Sequence, residues 1–73
     1  MKKKEGILKI KGKVLEVLPN YKFRIKTFEN KIITAYASGK IKKNHIRILN
    51  GDTVIVEISI HDKKNGRIIY RYI

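Results

Sequence analysis

Cysteine and tryptophan are absent from this chain, proline occurs once, and only 6 of the 73 residues are acidic. Without cysteine there is neither a disulfide framework nor a thiolate metal site to reinforce the fold, and the chain suits a reducing compartment. No apolar run approaches the roughly 20 residues of a membrane span, and the opening MKKKEGILKI has neither the long apolar stretch nor the cleavage site of a secretory signal. The expectation is a soluble protein, synthesised where it acts. No membrane partner is expected, since neither an amphipathic helix nor a lipidation motif accompanies the charge. Catalytic groupings are also missing. There is no cluster of acidic metal ligands and no spaced nucleophile and base. His61 and Asp62, as strand neighbours, would point to opposite faces. Gly39-Lys40 lacks the earlier glycine and the following Ser or Thr of a phosphate-binding Walker loop. A non-enzymatic protein without a cofactor is expected.

What the chain has instead is positive charge. Eighteen Lys and Arg give a formal charge of +12, which repels itself unless a polyanion lies nearby, and nucleic acid is the default partner. Fourteen Lys, fourteen Ile and five Asn against four Arg is the bias of AT-rich codons. Lysine then fills any tolerant surface site, so the arginines carry more weight. The length allows one domain with a modest core, because such a chain removes only roughly 60% of its unfolded surface from water.

Met1 to Gly6 is charged and aperiodic and reads as a flexible basic tail, leaving residues 7–73 as the single domain. Ile7 to Leu18 is strand-like, with Ile10, Val14 and Leu18 on one face and Gly12 marking a bend or close backbone approach. Pro19-Asn20 signals a turn. Tyr21 to Thr27 alternates Phe23 and Ile25 with Lys22, Arg24 and Lys26, the period of a half-buried strand. Glu29-Asn30 turns into Lys31 to Ala37, where Ile33, Ala35 and Ala37 face inward and Tyr36 outward. Next comes SGKIKKNHIRILNGD, Ser38 to Asp52. Its Lys40, Lys42, Lys43 and Arg47 are interleaved with Ile41, Ile46 and Ile48, which can pin the segment to a core. Ile41, His45 and Ile48 follow helical spacing, and Ser38 is placed to cap one or two turns within Gly39 to Asn50. Thr53 to Ile60 alternates strictly, with Val54, Val56, Ile58 and Ile60 on one face. A polar loop, His61 to Asn65, leads to an Asn65-Gly66 hairpin signal. In the final strand, Arg67 to Tyr72, Arg67, Ile69 and Arg71 share one face and Ile68, Tyr70 and Tyr72 the other. The order βββ-α-ββ is that of an all-β, five-stranded oligonucleotide-binding (OB) barrel, S1-like, with a short helical insert between strands 3 and 4.

Three segments, GKVLEVLPNYKFRI (12–25), SGKIKKNHIRILNGD (38–52) and GRIIYR (66–71), resemble bacterial-type translation initiation factor one in order and spacing. The resemblance covers nearly the whole chain. It implies a non-enzymatic factor in the aminoacyl (decoding) site of the small ribosomal subunit, contacting the decoding helix of the rRNA and small-subunit protein twelve. Such a factor occludes that site, so that initiator tRNA enters the peptidyl site, and acts with initiation factors two and three. It is expected to be a monomer off the ribosome. Carried over by position, the rRNA-binding set is Arg24, Lys40, Lys42, Lys43, Arg47, Arg67 and Arg71, with Tyr36 and His45 as rings that could stack on an unpaired base. Lys42 stands where the family often has Arg, turning a forked phosphate contact into a single-point one. Tyr36 replaces a common His, His45 a common Tyr, and Asn30 a usual turn Gly that Asn can replace at positive φ. The codon bias fits a plastid stroma, with the cytoplasm of an AT-rich bacterium as the alternative.

Plainer readings stand beside these. Lys22, Arg24 and Lys26 could be an ordinary solvated strand face, Tyr70 is expected in the core beside Ile68, and His45 could fill a gap at the insert. The alternative function is a single-strand RNA binder or chaperone of cold-shock type, which would present exposed Phe and Trp on its strands.

Overall fold

The computed structural model describes residues 6–72. Five strands, β1 (Ile7–Leu18), β2 (Lys22–Thr27), β3 (Ile32–Ala37), β4 (Thr53–Ser59) and β5 (Asp62–Arg71), close into a barrel in the order β1-β2-β3-β5-β4. A five-residue helix, α1 (Gly39–Lys43), follows β3. This is the OB barrel expected from the alternation. All neighbours are antiparallel except β3 and β5, which run parallel and seal the barrel.

Alternation places the core as expected over much of the chain. Phe23, Ile25, Ile33, Ala35, Ala37, Val54, Val56 and Ile58 are buried, and Ile41 and Ile48 join them from the α1 segment. Gly12 marks a close approach: a Cβ there would lie 2.5 Å from Ile25 Cγ2. The β2–β3 hairpin closes on Thr27, whose Oγ1 accepts from the amides of Glu29 and Lys31, with Asn30 at φ 65°.

Two bulges account for most departures. The β1–β2 register jumps between Val14 and Glu16, so that Leu18 lies opposite the outward Lys22. Leu18 is therefore not on the face of Ile10 and Val14. In β5 the register jumps from Ile68 opposite Val56 to Tyr70 opposite Ile55. An extra residue in one strand reverses every later side chain. Ile68 is buried, whereas Tyr70 is 54% exposed and not a core residue. Arg71 now lies opposite the inward Val54 and no longer shares a face with Arg67, which stands opposite Glu57.

The Asn65-Gly66 hairpin is also replaced. The chain turns at Ile60-His61, leaving Ile60 exposed, and Asn65 and Gly66 lie inside β5. Glycine is needed there because a Cβ would meet Val56 Cγ1 at 2.5 Å and Ile58 Cγ2 at 2.8 Å. The Ile60 amide donates to Gly6 O at 2.7 Å, so Gly6 belongs to the barrel. The rest of the expected basic tail, residues 1–5, lies outside the described residues.

Candidate nucleic-acid interface

The cationic segment after β3 takes its shape from its caps. Ser38 accepts the Ile41 amide on its hydroxyl at 3.2 Å and opens α1. The helix makes the expected one to two turns and ends after Lys43. His45 adopts φ 54°, the His45 amide donates to Lys42 O at 3.1 Å, and the Ile46 amide donates to Ile41 O at 3.2 Å. This pair of bonds around a left-handed residue is a Schellman stop, which satisfies carbonyls that a five-residue helix would leave unpaired. His45 is exposed and fills no gap in the core, and Ile46 is exposed too, so that Ile41 and Ile48 alone pin the segment. The stop leaves Lys40, Lys42, Lys43, His45 and Arg47 all facing solvent.

Strand register brings a second group alongside. Residues directly opposite one another share a sheet face, and Lys22, Tyr36 and Arg67 form one row across β2, β3 and β5. Arg24, Thr34 and Asn65 form the next. Tyr36 is 50% exposed at the centre of this surface. Where the row meets α1, the Ala37 amide donates to Tyr21 O at 3.0 Å, and Lys42 Nζ sits 5.4 Å from the Tyr21 ring centroid. Tyr21, 61% exposed and at φ 60°, is thus a ring of the site that sequence reasoning missed. The Pro19-Asn20 turn signal pointed to a bend, not to two consecutive left-handed residues that raise the tyrosine toward the helix.

The arginines divide by partner. Among the described residues Arg47 forms no ion pair, and Arg24 has a loose, exposed one, 3.8 Å from Glu16. Arg67 Nη2 donates to Glu57 Oε1 at 2.7 Å. Arg71 Nε donates at 2.9 Å to Asp52 Oδ2, the oxygen that also accepts the Leu49 amide at 2.8 Å. The Leu49 hydrogen bond, assisted by the Arg71 guanidinium and opposed by desolvation, holds the Asp52 carboxyl below the usual carboxylate range. Arg71 therefore braces the loop that carries Arg47. The structure brings Lys40, Lys42, Lys43, Arg47, Tyr36, Arg24 and Arg67 onto adjoining exposed elements and turns the Arg71 head toward the loop base.

A closed five-stranded barrel with this surplus of cations defines a small, basic OB-fold protein. The sequence matches the family described as Translation initiation factor 1A / IF-1 over residues 1–73. It is also similar to the solution structure of the translation initiation factor IF-1 from the Wolbachia endosymbiont strain TRS of Brugia malayi. The two are 40% identical with a TM-score of 0.76, over 97% of this chain and 84% of that one. The chain belongs to the translation initiation factor 1A / IF-1 family and is a translation initiation factor.

Proposed function

We propose that the protein occupies the aminoacyl (decoding) site of the small ribosomal subunit and blocks it during initiation. The observation that carries this reading is the convergence of the Lys22–Tyr36–Arg67 row with the α1 lysines and Arg47 on adjoining exposed elements. Phosphates would meet Lys40, Lys42, Lys43, Arg24 and Arg47 and set the orientation, while Tyr36 and Tyr21 offer flat faces to unstacked bases of a folded RNA. His45, displayed on its left-handed corner, is a third ring. Arg67 reaches RNA from its Glu57 pair, and Arg71 serves the site by holding the Arg47 loop.

In this reading the factor also touches small-subunit protein twelve, works with initiation factors two and three to place initiator tRNA, and is a monomer off the ribosome. The lysine and isoleucine bias fits action in a plastid stroma, with the cytoplasm of an AT-rich bacterium, which would carry the same bias, as the alternative. The buried Phe23 counts against a cold-shock binder, which would display rings along its strands, whereas the exposed Phe28 lies in the β2–β3 turn.

The test is competition. Labelled protein bound to purified small subunits at near-physiological salt is challenged with excess unstructured RNA while the decoding-site adenines are probed chemically. Retained binding with altered adenine reactivity is expected. Easy displacement without a footprint would leave a general RNA binder.

A further inference from the structure

On the opposite side of the barrel lies a second grouping of rings and cations. In the cyclic order β1-β2-β3-β5-β4, the β1–β4 pair is the one across from β3 and hence from Tyr36. On the outer face of this pair Lys11 Nζ lies 5.0 Å from the Tyr72 ring centroid and 5.9 Å from that of Phe28. Tyr70 meets Tyr72 edge to face at 5.2 Å. Phe28 is 63% exposed, the most exposed large apolar side chain among the described residues. Scattered surface apolar residues need no explanation, but contiguous exposed rings mark an interaction site.

Charge identifies the occupant. Lys13 and Lys26 stand directly opposite each other in the β1–β2 register, a like-charge pair that costs stability in any sheet. Among the described residues neither forms an ion pair. Both line a shallow concavity whose wall is Phe28, with Leu15 and Asn30 beside them. Cations outnumber acids here, with Lys11, Lys31 and Lys63 beside Glu29 around Phe28, and this surplus with an exposed ring at each flank of Lys11 fits a chain of phosphates whose bases are free to stack.

We propose that this outer face of β1, with Phe28 of the β2–β3 turn as its platform and Lys11, Lys13 and Lys26 around it, is a second binding surface for single-stranded RNA. Phosphates approaching Lys13 and Lys26 relieve their mutual repulsion, and unpaired bases stack on Phe28 and Tyr72. Its centre, Lys11 and Phe28, lies away from Tyr36 and α1, while Lys26, next but one to Arg24 on the outer face of β2, adjoins the decoding-site surface. A molecule seated through Tyr36 and α1 would still hold a second, unpaired strand on its far side.

The experiment uses the full-length, isotopically labelled protein titrated with an oligouridylate of about ten nucleotides, a length matched to one OB barrel. Amide shifts at Lys11, Lys13, Lys26, Phe28 and Tyr72 are expected. Phe28→Ala should weaken oligouridylate binding about tenfold, with melting unchanged and affinity for small subunits retained. Shifts confined to Tyr21, Tyr36 and α1, or unchanged affinity in Phe28→Ala, would overturn the proposal. So would inorganic polyphosphate binding as tightly as the oligouridylate, since the face would then be an electrostatic patch alone. Subunit binding, measured in parallel, reports on the decoding-site reading separately.

Discussion

Arg47 and Arg71 are close in sequence character but should fail in different ways when shortened to alanine. Arg71 Nε and Asp52 Oδ2 are 2.9 Å apart, with side chains 29% and 20% exposed. A shielded hydrogen bond to a charged group contributes about 1.5–3 kcal/mol to stability, and an exposed ion pair about 0–1 kcal/mol. This pair lies between those limits, so Arg71→Ala should destabilise the barrel by about 1–1.5 kcal/mol, lowering its melting temperature by about 4–12 °C at this domain size. The loss is moderate because Asp52 keeps the Leu49 amide as a partner. Arg47→Ala removes no ion pair among the described residues and should change stability by less than about 0.5 kcal/mol, while weakening subunit binding directly. Thermal melts by circular dichroism and subunit binding on both variants separate the two roles. A double-mutant cycle with Asp52→Asn, which keeps an acceptor for Leu49, should give a coupling of about 1 kcal/mol. If Arg71→Ala melts like the parent and loses as much subunit affinity as Arg47→Ala, the bracing role is refuted.

Gly66→Ala should destabilise by about 1–3 kcal/mol or more, because the new methyl collides with Val56 and Ile58; an unchanged urea midpoint would contradict the close approach. Val56→Ala, at a fully buried position, should cost about 1–3 kcal/mol through the cavity left behind, and a parental melting curve would show that this strand face is not inward. The lowered Asp52 pKa gives a contribution present above the ordinary carboxylate value of about 3.9 and lost as pH falls through the folded value. The urea midpoint should therefore fall on acidification below about pH 4, less steeply in Asp52→Asn; superimposable acid limbs would exclude the contribution.

The β4 strand was legible because Val54, Val56 and Ile58 alternate without interruption, and β2 because Phe23 and Ile25 do so against three cations. The bulges were not, since an extra residue carries no compositional mark yet reverses the parity of all that follows. That is why Leu18, Tyr70 and Arg71 were each assigned to the wrong side. Gly66 was misread because a glycine that permits a turn and one that permits close packing look alike in sequence, and its neighbour Asn65 completed the false hairpin signal. The cationic segment of the candidate site stood out by charge, and Ser38 by its capping chemistry. Its one or two helical turns were legible, but the position of the stop was not, because His45, which can adopt left-handed backbone at moderate cost, ends the helix without the glycine that usually announces it. Tyr21 reaches the site through backbone geometry that no spacing rule encodes.

The parallel β3–β5 seam makes β5 the closing stave of the barrel, held on one side by β3 and on the other by β4. Whenever β5 detaches, β3 and β4 each present a row of unpaired amides and carbonyls, and the side of the barrel stands open. Such edges are templates for pairing with other chains, and closure across many intervening residues is slow. A molecule whose β5 has peeled away would therefore show two sticky edges at once, so opening at this one strand is the step that exposes the protein to aggregation.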